Sequence, residues 1–415
     1  MSWTRRSAAL VLLAVSLMTI AGFLLKAQCI GAYNANRDTH FCVNDFQVLY
    51  INRGLVSRVF PYLHGHYAGG QLTGGTIEYP VLTGLFAWLP SLVVTNDGDY
   101  LRVTALLLAP FSFLTAWLLH RLSPQRALLY AAAPPLVWYS FHNWELLVVA
   151  ATVAAFYAWS RGRFGWSAAL LAVGAGCKLW PGFFVLPLAL SRLRAGDRRG
   201  AALVVGVAVW VTFLINAPFA LYNRDGWFAP YAFQRDRAAD VTSNSVWFWG
   251  LPQLTTSTLN LLIPSLLLLS FVVAAGYGWY RSRGLSAGYP FLQVSGAMLC
   301  AFMLLNKAHS PQYTLWLLPF FVLLRVRWGW YVGYLVMDAL LFFGLFSWYH
   351  DLTEGQDFGI AKQATVLGVW GRAAMLALMF VVFLRAETSL DESTEVRPAP
   401  VAADGSTLPE PAAAR

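Results

Sequence analysis

Long apolar runs separated by short clusters of arginine dominate the pattern of this chain. The apolar runs cover residues 8–27, 101–120, 127–141, 146–160, 165–177, 180–191, 201–218, 259–280, 287–305, 313–324, 328–346 and 365–384. A membrane-spanning helix needs about 20 predominantly apolar residues, so these runs predict a bundle of transmembrane helices in which several spans are short.

The arginine clusters predict how the bundle is threaded. They are Arg5/Arg6, Arg121/Arg126, Arg161/Arg163, Arg192/Arg194/Arg198/Arg199, Arg281/Arg283, Arg325/Arg327 and Arg385. Short loops rich in Lys and Arg remain in the cytoplasm, so each cluster marks a return to that side. Residues 165–191 lie between two such clusters and must cross twice, with a proline-broken turn at Lys178-Leu179-Trp180-Pro181. We therefore expect an all-α polytopic protein with about 12 crossings and cytoplasmic termini.

Three stretches need separate interpretation. If the apolar run 81–94 crossed the membrane, every later arginine cluster would lie on the outer side. We therefore expect this run to be a re-entrant or surface helix on the outer face. Residues 45–62 place apolar side chains at roughly helical spacing, which suggests an interfacial helix. The run 8–27 resembles a signal peptide but lacks an A-x-A site, so a retained helix is favoured. Residues 1–385 form the membrane domain, and the Pro-, Ala-, Ser- and Glu-rich residues 386–415 are expected to be a disordered cytoplasmic tail.

Composition supports the membrane assignment. The chain of 415 residues is 58% hydrophobic and 12% charged, about half the usual share of charge in soluble domains. The net charge of +9 is explained by loop arginines, and no basic module typical of a nucleic-acid-binding protein occurs. Cys29 and Cys42 lie in the first outward segment, where a disulfide is permitted, whereas Cys177 and Cys300 lie in apolar spans. His64-Gly65-His66 lacks a third ligand, so we expect neither a metal site nor a cofactor.

The candidate chemistry lies in the outward segments. Asp45 follows the first span, where it is either a base at the membrane surface or a helix cap. Glu78 and Tyr79 precede Pro80, and Glu78 is either a substrate ligand or an acid in a first helical turn. Asp338 is the one carboxylate within a span, where it must face protein or water.

Cationic and aromatic residues accompany these carboxylates. The stretch 306–313 (NKAHSPQY) is dense in polar groups, and its Lys307 and His309 suit phosphate binding or proton transfer. Arg235 and Arg237 are an outward pair that either grips a phosphate or bridges to nearby aspartates. The stretches 142–145 (HNWE) and 178–181 (KLWP), with Arg372, suit sugar binding or interfacial anchoring.

The motifs NDFQVLY, EYPVLTGLFAWLP, CKLWPGFFVLPL, NSVWFWG and NKAHSPQYTLWLLP together resemble the GT-C membrane glycosyltransferases, and most closely glycosyltransferase family 87. That family includes actinobacterial α-mannosyltransferases and arabinofuranosyltransferases that use polyprenyl-phosphate sugars. The chain departs from the commoner family pattern in having Tyr-Pro-Val where Tyr-Pro-Pro is usual.

The resemblance implies an inverting enzyme of the plasma membrane, active on the extracytoplasmic face. It would move a sugar, most simply α-mannosyl, from a polyprenyl-phosphate donor to a glycolipid or lipoglycan during cell envelope biosynthesis. Asp45 and His309 would be catalytic, and Lys178, Arg235, Arg237 and Lys307 would bind the donor phosphate. The expected substrate-binding residues are Glu78, Tyr79, Asn143, Trp144, Trp180, Asn244, Trp247, Gln312 and Tyr313.

Three other interpretations stay open. An arabinofuranosyltransferase would have the same architecture. A transporter or flippase of lipid-linked sugars would require an internal repeat and functional charges near the membrane centre. A non-catalytic assembly partner would not depend on Asp45. In each case we expect the protein to be a monomer that is surrounded by membrane lipids and does not bind nucleic acid.

Overall fold

The computed structural model of the chain describes residues 3–284 and 288–390, and this part is almost wholly helical. The helices are α1 (Trp3–Ala27), α2 (Tyr33–Asn36), α3 (Asp45–Asn52), α4 (Val81–Ser91), α5 (Asp97–Leu122), α6 (Leu128–Ala131), α7 (Pro135–Tyr139), α8 (Glu145–Ser160), α9 (Phe164–Cys177), α10 (Val185–Arg194), α11 (Arg198–Tyr222), α12 (Arg224–Asp236), α13 (Val246–Gly250), α14 (Thr256–Arg281), α15 (Phe291–Leu305), α16 (Thr314–Leu323), α17 (Trp328–Thr353) and α18 (Ile360–Arg385). Short 3-10 helices cover Leu55–Ser57, Trp180–Phe184, Ser282–Gly284 and Pro311–Tyr313. The predicted all-α fold is confirmed.

Six helices of the described residues are long and apolar enough to cross a membrane: α1, α5, α11, α14, α17 and α18. The shorter apolar spans of the sequence correspond to α8, α9, α10, α15 and α16. The run 127–141 is split into α6 and α7, because Pro134 and Pro135 cannot continue a helix begun before them. The predicted break after Lys178 is present, since α9 ends at Cys177 and α10 begins only at Val185.

The short helix α4 occupies the run 81–94. Its 11 residues give a length of about 16 Å, too little to cross a bilayer core of about 30 Å. Thr83 donates a hydrogen bond to the carbonyl of Cys177 (2.8 Å), and Tyr100 donates one to Ala87 (2.6 Å). α4 is thereby fixed against the end of α9 and the beginning of α5.

The expected single helix over residues 45–62 is wrong in extent. α3 ends at Asn52 because Gly54 adopts a left-handed conformation (φ 66°), and a 3-10 turn follows. Tyr50 on α3 stacks on Tyr100 of α5, with ring centroids 4.8 Å apart. The remaining residues of this segment form a loop whose apolar Val56 stays exposed.

The segment between α1 and α3 is cross-linked to the end of α1. A disulfide joins Cys29 to Cys42, whereas Cys177 and Cys300 are buried free thiols, as expected. Lys26 donates hydrogen bonds to the carbonyls of Phe41 (3.3 Å) and Val43 (2.8 Å). These contacts fix the chain immediately before Asp45.

Asp338 on α17 is paired with Arg372 on α18 inside the bundle. The Arg372 Nη1 to Asp338 Oδ1 distance is 3.1 Å, and both side chains are fully buried. Thr314 (2.6 Å) and Tyr139 (3.3 Å) donate hydrogen bonds to the same carboxylate. All three partners contact Oδ1, and within the described residues Asp338 Oδ2 and Arg372 Nε have no hydrogen-bond partner.

Two small strand pairs complete the described residues. β1 (His66–Ala68) pairs antiparallel with β2 (Gln71–Thr73), and β3 (Leu324–Arg325) with β4 (Glu387–Thr388). Ser389 also donates its backbone N–H to the carbonyl of Leu323 (2.9 Å). Residues 386–390 are thus packed rather than disordered, and the rest of the expected disordered tail, 391–415, lies outside the described residues.

Candidate active site

One large cavity gathers many of the polar residues that the sequence indicates. Its volume is about 520 Å³. Nine of the predicted site residues line it: Asp45, Glu78, Tyr79, Lys178, Trp180, Arg237, Asn244, Gln312 and Tyr313. They come from α3, the turn before α4, the α9–α10 turn, the segment after α12 and the 3-10 turn before α16.

Asp45 is placed by its backbone at the start of α3. Asn44, not Asp45, caps the helix: its side-chain oxygen accepts a hydrogen bond from the N–H of Gln47 (2.9 Å). The Asp45 N–H donates to the carbonyl of His142 (2.7 Å). The capping interpretation is therefore wrong, and the Asp45 carboxylate is free for other contacts.

The half-buried Asp45 carboxylate lies beside two hydrogen-bond donors. Its Oδ2 accepts from the hydroxyl of Tyr79 (2.9 Å) and from Asn143 Nδ2 (3.4 Å). Burial raises the pKa of Asp45 to about 6; Tyr79 partly offsets the effect and the nearby Glu78 adds to it. A carboxylate with a pKa close to neutrality is suited to accept and return a proton.

Lys178 lies at the C-terminal end of α9 inside a cage of aromatic rings. Its Nζ lies 5.4 Å from the ring centroid of Tyr79, 4.7 Å from Tyr313 and 5.0 Å from Trp316. It is paired with Glu145, the first residue of α8, which also accepts a hydrogen bond from Trp316 Nε1. Burial alone would lower the pKa of Lys178, but the charge of Glu145 raises it above its ordinary value. Lys178 is therefore a fixed cation in the cavity.

The cavity also contains an ion pair that the sequence did not suggest. Arg53 contacts Glu78 through two hydrogen bonds, Nε to Oε2 (2.8 Å) and Nη2 to Oε1 (3.1 Å). Glu78 is thus a partner of Arg53 rather than a first-turn acid. The signal that could have found Arg53 is Gly54, which marks the end of α3 directly after it. Glu145 was missed as an individual residue, since its partner Lys178 is 33 positions away.

Six predicted site residues do not line the cavity. They are Asn143, Trp144, Arg235, Trp247, Lys307 and His309. Asn143 contacts it indirectly through Asp45. Trp144 packs its ring against Phe46 and Tyr79, and Trp247 donates to the carbonyl of Leu305 (2.8 Å).

The two outward cations predicted beside Lys178 and Arg237 contact other parts of the chain. Lys307 donates to the carbonyl of Arg235 (2.8 Å) and to Asn260 Oδ1 (2.9 Å). The exposed Arg235 is paired with Asp236 (2.8 Å). Both sets of contacts lie at the C-terminal end of α12. Arg237, two residues further on, lines the cavity and donates to Thr242 (3.1 Å).

His309 is buried behind the cavity. Its Nδ1 lies 2.6 Å from the carbonyl of Met303, and it borders a small void with Arg372 and Asn244. Burial, with the charge of Arg372, lowers the pKa of His309 to about 3. The ring is therefore neutral at physiological pH and carries no positive charge for a phosphate.

The aromatic side of the cavity offers a surface for a sugar ring. Tyr313 stacks on Trp316 with centroids 3.8 Å apart, and Trp180 stacks on Trp316 at 5.3 Å. Gln312 and Asn244 add amide groups at the same wall. Within residues 3–284 and 288–390, no group of three or more His, Cys, Asp or Glu side chains is arranged to hold a metal ion.

Comparisons with known proteins identify the sequence family that matches this chain. The sequence model of glycosyltransferase family 87 matches residues 78–306, more than half of the chain. The crystal structure of ArnT from Cupriavidus metallidurans bound to undecaprenyl phosphate is similar over 91% of this chain and 76% of that chain, with 15% sequence identity and a TM-score of 0.45. None of the curated proteins compared with the chain matches it in sequence.

Proposed function

Because the chain belongs to glycosyltransferase family 87, we propose that it transfers a sugar from a polyprenyl-phosphate donor to the hydroxyl of a glycolipid or lipoglycan acceptor. The observation that supports this most directly is one cavity, within a bundle of membrane-type helices, that holds both the half-buried Asp45 carboxylate and the Lys178 cation. Tyr79 joins the two, since its hydroxyl donates to Asp45 while its ring contacts Lys178.

In the proposed reaction Asp45 is the general base. Its carboxylate takes the proton from the acceptor hydroxyl as that oxygen attacks the anomeric carbon of the donor sugar. The bond between the anomeric carbon and the phosphate oxygen breaks, and its electron pair leaves with the polyprenyl phosphate. Attack from the face opposite the leaving group inverts the configuration. Asp45 is then reset by losing its proton to water.

Lys178 and Arg237 serve the leaving group. Negative charge grows on the phosphate as the bond breaks, and cations fixed in advance stabilise that charge without rearranging. Lys178 is held by Glu145 and the aromatic cage, whereas Arg237 has a single side-chain contact, to Thr242. This division differs from the sequence expectation, because Arg235, Lys307 and His309 are engaged elsewhere.

We propose that the transferred sugar is mannose, which the acceptor would receive as an α-mannosyl residue, as in the actinobacterial α-mannosyltransferases of the family that the motifs resemble, and the reaction requires no metal. The active face would be the extracytoplasmic side of the plasma membrane. The pairing of Asp338 with Arg372, Thr314 and Tyr139 through one carboxylate oxygen supports a structural role for this mid-span charge over the transport alternative. An arabinofuranosyl donor would use the same cavity, so both donors should be offered in the test.

The experiment is Asp45→Asn in purified protein reconstituted into liposomes. Loss of a general base lowers the rate about 10²–10⁴-fold, whereas donor binding should persist because Lys178 and Arg237 are unchanged. Asp99→Asn is the matched control, since Asp99 is an exposed acid in the first turn of α5 that pairs with Arg102. Near-normal transfer by Asp45→Asn, or an equal loss in Asp99→Asn, would contradict the proposal.

A further inference from the structure

A second cavity lies at the other end of the α8–α9 hairpin. Its volume is about 350 Å³, and it is lined by Ala154, Tyr157, Ala158, Arg161, Arg163, Trp166 and Leu170. The α8 residues at positions 154, 157, 158 and 161 share one face of the helix, as do Trp166 and Leu170 on α9. The two faces form an apolar slot with arginines at its mouth.

This slot is separate from the proposed active site. Glu145 begins α8 beside Lys178, and Arg161 follows the end of the same helix 16 residues later. At 1.5 Å per residue the two ends are about 24 Å apart, most of the thickness of a bilayer core. A ligand in the slot would therefore be in the leaflet remote from the active site.

Among the described residues, the two arginines of the slot lack the side-chain hydrogen bonds and ion pairs that Arg126, Arg192 and Arg194 make. Arg126 donates to the carbonyl of Phe321 (2.9 Å), Arg192 is paired with Asp197, and Arg194 donates to Ser282 (2.9 Å). Within the described part of the chain, the exposed guanidinium groups of Arg161 and Arg163 have neither a salt bridge nor a side-chain hydrogen bond. Their donors remain available to an anion.

The walls of the slot suit a hydrocarbon chain. Ala154, Ala158 and Leu170 carry no polar side-chain atoms, and the Trp166 ring is 68% exposed at the edge. Tyr157 extends the aromatic surface to Trp117 of α5, with centroids 6.3 Å apart. Amphipathic rings of this kind are typical of the depth at which lipid headgroups meet acyl chains.

We propose that this slot binds one anionic phospholipid, with the headgroup phosphate between Arg161 and Arg163 and an acyl chain against α8 and α9. Charge complementarity selects the headgroup, since two unpaired guanidiniums at an apolar slot match a phosphate that carries a hydrocarbon tail. A soluble anion would not use the apolar wall, and in a zwitterionic phospholipid the ammonium group of the headgroup offsets the charge that its phosphate presents to the two arginines.

The test compares full-length protein in vesicles of phosphatidylcholine with and without phosphatidylglycerol, counting retained lipids by native mass spectrometry. The double variant Arg161→Gln/Arg163→Gln should weaken phosphatidylglycerol retention on the order of 30-fold, because each cation near an anionic surface contributes to binding. Leu170→Trp, which fills the slot and keeps both charges, should also reduce retention.

Arg198→Gln/Arg199→Gln is the matched control, because it removes two exposed arginines at the beginning of α11, away from the slot. It should retain phosphatidylglycerol as the unaltered protein does. Equal loss in the control, equal retention by Arg161→Gln/Arg163→Gln, or displacement of the lipid by inorganic phosphate would overturn the proposal.

Discussion

We expect the Asp45 carboxyl group to determine how the rate of the proposed sugar transfer depends on pH. Burial raises its pKa to about 6, and only the deprotonated form accepts a proton. Below that value the rate should fall about tenfold for each pH unit, and above it the rate should level off. Initial rates measured from acidic to neutral pH, with the acceptor well below its KM so that the free enzyme is titrated, would show this acidic limb.

The variant Tyr79→Phe tests more directly whether Asp45 causes the acidic limb of the pH–rate profile. The Tyr79 hydroxyl donates to Asp45 and holds its pKa down, so its removal should move the acidic limb to higher pH. Tyr313→Phe is the control from the same cavity, since the Asp45 carboxylate accepts its hydrogen bonds from Tyr79 and Asn143. If the acidic limb stays at the same pH in Tyr79→Phe, Asp45 is not the base.

At the scale of single residues, the sequence predicted the residue types of the site better than it predicted which side chains face the cavity. Arg235 and Arg237 are two positions apart, yet only Arg237 lines the cavity, because Asp236 holds Arg235. His309 and Gln312 belong to one loop, but His309 is buried against Met303. Such directions depend on tertiary partners distant in sequence, which no local pattern contains.

At the scale of elements, the Lys178–Glu145 pair joins the end of α9 to the beginning of α8. Lys178→Met should leave the buried Glu145 carboxylate without a compensating cation and lower the free energy of unfolding by about 3–5 kcal/mol. Adding Glu145→Gln should recover much of that stability, because no buried charge remains, while donor binding stays lost. Thermal unfolding and donor binding in detergent would measure the two effects.

The double variant separates structure from function. If donor binding returns together with stability, Lys178 only supports the fold and the phosphate is bound elsewhere. Glu145→Gln by itself should keep donor binding, since the Lys178 cation and its aromatic cage remain.

The spans were predictable because apolar length and arginine position are local properties. The α9–α10 turn followed from the proline after Lys178, and the exclusion of 81–94 agrees with an 11-residue helix. The extent of α3 was not predicted, because helical spacing was weighed above Gly54. Because the helix was expected to continue, Arg53, which follows its actual end and contacts Glu78, was not identified as a site residue.

For the whole molecule, the arginine pattern predicts which side each end of the bundle faces. Single cysteines at the exposed positions Gln71, Thr95 and Glu354 should react with an impermeant thiol reagent added outside cells, and one at Arg283 should not. The native background should be low, since Cys177 and Cys300 are buried and Cys29 is bonded to Cys42. Labelling of Gln71 and Thr95 from opposite sides would mean that residues 81–94 cross the membrane.

The Cys29–Cys42 bond ends three residues before Asp45. Disulfides form and persist in oxidising compartments and are rare in the cytosol. On the proposed topology, a newly made chain would form this bond only after the segment that carries Asp45 had been exported. Correct insertion of α1 would then be a condition for activity, since a chain inserted in the opposite orientation would lack the covalent link next to Asp45.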